Sequence, residues 1–119
     1  RDCTPGGWKL AEGIAAGLAR AGWTVVSGLA RGIDAAAHKG ALAAGGRTLA
    51  VLAGGLDRIY PPEHWELAAA VAGRGALLTE TPPGVALQAG MFPQRNRVVS
   101  GLCRATVVVE AGDKSGALI

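Results

Sequence analysis

Residues 48–55 read Thr-Leu-Ala-Val-Leu-Ala-Gly-Gly: an unbroken apolar run that stops in a small-residue turn. Strands buried on both faces read as continuous apolar runs, whereas half-exposed strands alternate. Outward from this stretch the pattern repeats. On the amino-terminal side, Trp23-Thr-Val-Val26 is a short β-branched run that ends at Ser27-Gly28. On the other side, Ala76-Leu-Leu-Thr79 and Ala105-Thr-Val-Val-Val109 are two more such runs. Between them lie helical signals. Trp8 to Arg20 repeats apolar residues at helical spacing and ends at Gly22. Asp34 to Ala44 is alanine-rich and closed by Gly45-Gly46. Pro61-Pro62 opens a helix over Glu63–Ala72, because proline in a first helical turn gives up an N–H that would be unpaired there anyway. Pro82 to Phe92 reads as a loop and Arg95 to Arg104 as a last helix. Strands alternating with helices predict an α/β fold: a mainly parallel sheet between two helical layers, α/β/α.

The 119 residues fit one domain over 1–119. The chain opens on a loop and helix without a strand to feed them, and stops at Leu118-Ile119 where another helix starts; the expectation is an incomplete domain whose first strand is missing. No apolar run approaches a membrane span, and the opening residues do not read as a basic-then-apolar signal peptide, so none is expected. Cys3 and Cys103 make neither a metal cluster nor a disulfide framework, so a reduced, cytoplasmic protein is expected. The net charge of +3 permits a polyanion partner without demanding one. With Trp8, Trp23, Trp65, Tyr60 and Phe92 as the only aromatics, any base contact has to use one or two rings.

In an open parallel sheet ligands bind beyond the carboxyl ends of the strands. Each predicted strand ends there in a small-residue turn: Ser27-Gly28 to Gly32, Ala53-Gly54-Gly55, and Ala111-Gly112 to Gly116. Arg1, Arg31, Arg58, Arg95, Arg97 and Lys114 fall in the same loops or in first helical turns. A cation in a first turn opposes the helix dipole by roughly 0.3–1 kcal/mol when exposed, which an arriving anion would relieve. Arg95 and Arg97 are expected in such a turn. The alternative is ion pairing to Asp34, Asp57, Glu80 or Glu110 on the same edge. Asp34 reads as a helix cap, with positioning a ligand as the lesser alternative, His38 as packing or capping, with a ligand contact as the lesser alternative, and His64 as surface. Phe92 suits core and base stacking equally. Ser27, Ser100 and Ser115 have no visible base partner, so nucleophilic catalysis is unsupported. The glycine turns match neither the dinucleotide fingerprint nor a P-loop.

Five blocks in order resemble the DNA-processing protein A (DprA, Smf) family. They are Ser27-Gly-Leu-Ala-Arg-Gly-Ile-Asp34 with Ala37-His38 and Ala41-Leu42; Thr48–Leu52 with Gly55, Asp57 and Tyr60-Pro61; Glu80 with Pro82; Phe92-Pro-Gln-Arg-Asn-Arg97 with Ser100-Gly-Leu102; and Val107-Val-Val-Glu-Ala111 with Ser115-Gly116 and Leu118. Arg1 resembles the arginine that closes the family's turn after its first strand. The resemblance implies a Rossmann-like domain that binds and protects single-stranded DNA during natural transformation and helps load the RecA recombinase. It implies a binding protein rather than an enzyme, with no cofactor or metal, and is compatible with a homodimer. Carried over by position, the DNA site comprises Arg1, the Ser27–Gly32 turn with Ser27, Gly28, Arg31 and Gly32, then Phe92, Arg95, Asn96, Arg97 and Lys114. The arginines would hold phosphates, Phe92 would stack on a base, and Asn96 would bond a base edge or cap structure. The competing readings are a phosphoribohydrolase-like nucleotide enzyme, which Ala53-Gly54-Gly55-Leu56-Asp57 echoes only faintly, and a module for an acidic protein surface.

Overall fold

A computed structural model describes residues 3–109. Three parallel strands, β1 (Val25–Ser27), β2 (Thr48–Leu52) and β3 (Ala76–Thr79), form one sheet in the order β1-β2-β3. Val25 stands opposite Thr48 in the first pair, and Leu49 opposite Ala76 in the second. Four helices accompany them: α1 (Pro5–Arg20), α2 (Ile33–Ala43), α3 (Trp65–Arg74) and α4 (Met91–Leu102), with a 3-10 turn at Pro62–His64 before α3.

Helix α1 starts where Thr4 accepts a hydrogen bond from the Gly7 N–H at 3.0 Å and Pro5 supplies the first turn. Its buried stripe is Ala11, Ala15 and Ala19, one residue per turn, which brings α1 close to α2. At Gly40 on α2 an added Cβ would run into the backbone carbonyl of Glu12, so that approach requires a residue without a side chain. Helices α2 and α3 cover one face of the sheet around Leu29, Ala35, Ala50, Leu52, Leu67, Ala68 and Val71. Side chains alternate along a strand. Ala50 and Leu52 point into that cluster, so Val51 faces the opposite side, where α4 lies and where Val51 shares a small cavity with Met91 and Val98. Helices therefore flank the sheet on both faces, as the alternation of signals implied.

Two expectations are corrected. Ala105–Val109 forms no strand among the described residues. A short β-branched run becomes a strand only beside a neighbour that pairs with it; this one pairs with none of the three strands, and its Val107 and Val108 stay exposed. Helix α4 begins at Met91 rather than Arg95. Pro93 falls in its first turn, where proline is tolerated, so it does not mark the end of a loop. Arg95 and Arg97 consequently sit in the second turn, and the dipole argument for an anion beside them lapses. Among the described residues no helix is long and apolar enough to cross a membrane.

Candidate nucleic-acid interface

The loop after β1 is held in an unusual shape. Leu29 has φ 65° and Gly32 has φ 80°. A bulky residue in the left-handed region costs of order 1–3 kcal/mol and persists only where its surroundings fix it. Here the Leu29 side chain is fully buried in the core. One carboxylate oxygen of Asp34 accepts from the N–H groups of Gly28 at 3.0 Å and Ala30 at 3.2 Å. The His64 Nδ1 lies 2.7 Å from the Leu29 carbonyl, so that nitrogen donates. Asp34 is thus not the cap of α2, a place taken by Gly32; it is the internal anion that closes the loop. His64 is half-buried and structural rather than a surface group.

Arg95 braces the same loop from the other side. It is 7% exposed. Its Nη1 donates to the Gly28 carbonyl at 2.7 Å and the Val51 carbonyl at 2.8 Å, and its Nε donates to Asn96 Oδ1 at 3.0 Å. Burial pushes its pKa down, with the Asp34 charge opposing the shift. A guanidinium starts so far above neutrality that it remains charged. A Cβ on Gly28 would lie 2.5 Å from the Arg95 Cζ and 2.8 Å from an Asp34 oxygen, so the junction of these two groups excludes any other residue. Through Nη1 and Nε, Arg95 is a clamp joining the loop after β1, β2 and α4.

The exposed cations lie farther out. Arg31 pairs with Glu63 at 2.5 Å, and Arg97 pairs with Glu80 at 2.6 Å. Hydrogen bonding to Arg31 holds the Glu63 carboxyl down at about 2, and the same contact raises the Arg31 guanidinium. The alternative of ion pairing therefore holds for both arginines, with Glu63 an unforeseen partner. Arg58 and Arg104 line the cleft beside this loop, exposed and without a carboxylate partner among the described residues. Two rings complete the edge. Tyr60 and Phe92 meet edge to face, with centroids 5.9 Å apart. The Arg31 guanidinium lies 5.5 Å from the Tyr60 centroid, and that of Arg95 lies 5.7 Å from the Phe92 centroid.

Of the residues expected at the site, Ser27, Gly28, Arg31, Phe92, Arg95 and Asn96 line one open cleft, which continues along α1 and β1 past Ala15 and Val25 to Val107. Gly32 shapes the loop without lining it, and Arg97 turns aside to Glu80. Arg1 and Lys114 lie outside the described residues. Sequence reasoning left Tyr60 and Arg104 off the site, and placed Arg58 and Asp34 on the same edge without assigning them to it. The signal for Tyr60 was present, since an aromatic ahead of Pro61-Pro62 in a strand-end loop belongs to no apolar period. His38 resolves toward packing. Fully buried, it lies 2.7 Å from the Thr48 hydroxyl, which donates onward to the Val25 carbonyl at 2.8 Å. Its Nδ1 must therefore donate, and burial lowers its pKa to about 4, so the ring is neutral.

An open parallel sheet with helices on both faces, and with a braced glycine loop, arginines and two rings beyond its strand ends, defines an α/β, Rossmann-like domain. Residues 1–119 match the family described as DNA recombination-mediator protein A. The chain belongs to that family. It is 49% identical to the protein Smf of Synechocystis over 98% of this chain and 29% of that protein. It superposes with a TM-score of 0.87 on the DNA processing protein A of Streptococcus pneumoniae, 42% identical, covering 98% of this chain and 41% of that one. For the DNA processing protein A of Helicobacter pylori, whose structure concerns a single-stranded DNA binding mode, the TM-score is 0.89 at 31% identity, with 98% and 53% covered. The chain thus spans between under a third and about half the length of these relatives.

Proposed function

We propose that the strand-end cleft binds single-stranded DNA and that the protein acts in DNA processing during transformation and recombination. The observation that carries this reading is the meeting of Arg31, Arg58, Tyr60 and Phe92 around the braced Ser27–Gly32 loop. Cations on a groove with aromatic rings between them suit a flexible polyanion whose bases are unstacked. Family membership and the single-strand binding of the Helicobacter pylori relative support it. The same reading takes RecA as protein partner, a homodimer as a compatible assembly and the cytoplasm as the place of action, with the chain as a binder and not an enzyme. A nucleotide enzyme is disfavoured on physical grounds. The Gly28 and Ala30 N–H groups, which could cradle a phosphate, are already taken by Asp34.

The test is fluorescence anisotropy of a labelled oligo-dT of about 15 nucleotides and of the matching duplex, titrated with the full-length protein over a range of salt. The single strand should bind in preference. Arg58→Ala should weaken it and reduce the salt slope by about 0.7, the share of one phosphate contact on a single strand. Equal binding of duplex, or no binding at low salt, would refute the proposal.

A further inference from the structure

We infer that Tyr60 is a base-stacking residue, and that Tyr60 and Phe92 together form a two-ring platform for an unstacked nucleobase; this rests on the single-strand reading of the cleft. Tyr60 is 42% exposed, which is a poor place for a ring that serves only packing. It lines the same cleft as Ser27, Gly28 and Asn96. Its contact with Phe92 is edge to face, with an interplanar angle of 63°. Such a contact sets the edge of one ring against a face of the other, whereas a parallel stack would consume a face of each. The two rings therefore present surfaces at different angles, as successive bases of a bent single strand require.

Each ring also carries its own guanidinium. Arg31 stands 5.5 Å from the Tyr60 centroid and is steadied there by Glu63. Arg95 stands 5.7 Å from the Phe92 centroid and is fixed by the Gly28 and Val51 carbonyls. A cation over one face of an aromatic ring orients it before any ligand arrives and leaves the base to the ring surface it does not cover. An ordered ring loses little freedom when a base lands on it, so the binding energy is not spent on ordering. The Tyr60 hydroxyl sits 3.5 Å from Arg31, long for a hydrogen bond, so the ring and not the hydroxyl is the working part. Bases inside a duplex already stack on one another, which makes this platform a reader of strandedness rather than of sequence.

The experiment compares wild type, Tyr60→Ala, Tyr60→Leu and Tyr60→Phe in the full-length protein. Two labelled strands of equal length serve as probes, oligo-dT and the same backbone with abasic sites. Tyr60→Ala should bind oligo-dT roughly 5- to 100-fold more weakly, the loss of one stacked base. Tyr60→Leu, which keeps apolar bulk but has no ring, should follow it. Tyr60→Phe should stay within about twofold of wild type, because the face is retained. On the abasic strand all four proteins should bind alike, an outcome that a merely structural role for Tyr60 would not produce. An equal loss on both strands, or wild-type binding with no loss in Tyr60→Ala and Tyr60→Leu, overturns this inference alone. If the wild type fails to bind oligo-dT, the single-strand reading falls, and this inference with it.

Discussion

Replacing Arg95 by alanine removes three hydrogen bonds, two of them from a buried cation to the main chain of β2 and of the loop after β1. Hydrogen bonds from charged donors contribute about 1.5–3 kcal/mol each, and a buried carbonyl left without a partner costs about 1–3 kcal/mol. Against this, the variant no longer has to desolvate a guanidinium, a cost of several kcal/mol per ion. The balance is a net loss of about 3 kcal/mol, a large share of the stability of a small domain. With a urea m-value near 1.5 kcal/mol/M, the unfolding midpoint should fall by about 2 M. Arg95→Lys keeps the charge and a donor nitrogen for the two carbonyls but loses the Nε bond to Asn96 and the planar fork that fixes the group, so about half the loss is expected. A second measurement separates clamp from contact. If Arg95 held a phosphate, Arg95→Ala would lower the salt slope of oligo-dT binding by about 0.7; as a clamp alone it leaves the slope unchanged. A midpoint for Arg95→Ala within about 0.3 M of wild type would refute the argument.

Two further outcomes follow from the same geometry. Glu63→Gln should tighten oligo-dT binding by roughly two- to fivefold and steepen its salt slope by up to about 0.7, because a phosphate reaching Arg31 would then release a counterion without freeing a carboxylate that recaptures one; anisotropy at several salt concentrations checks this, and an unchanged slope would exclude Arg31 from the contact. His38, lowered from 6.5 to about 4 by burial, makes the unfolded chain bind a proton that the folded chain refuses, so stability should be full above about pH 7 and decline as the pH falls toward 4, by up to roughly 3 kcal/mol. Urea midpoints between about pH 7.5 and pH 5 should fall with pH in wild type and fall less in His38→Gln; parallel profiles would count against the assignment.

The strands Thr48–Leu52 and Ala76–Thr79 were legible to the residue: burial on both faces leaves the central β2 an apolar run whatever surrounds it, while the edge strand β3, with Leu78 exposed, keeps a short apolar run after Gly75. Helix α2 was legible to within a residue for a like reason. The strand-end loops were legible as the edge where glycine turns and arginines gather, the place where topology puts ligands in such sheets. Sequence had no means of fixing which side chains point outward. Trp23 and Thr24 have strand composition, yet the ladder begins at Val25, where β2 supplies its first partner, and Trp23 is left exposed. Ala105–Val109 has the composition of a strand and no partner among the described residues. Arg95 has the composition of a surface cation, and only the folding together of Gly28 and Val51, 67 and 44 residues away in the chain, makes it an interior brace. Asp34 became the anion of a loop instead of a helix cap by the same means. Composition and periodicity act over a few residues and determined the layers. Long-range hydrogen bonds, which depend on where distant carbonyls and carboxylates come to rest, decided which of the arginines brace the fold and which face the solvent.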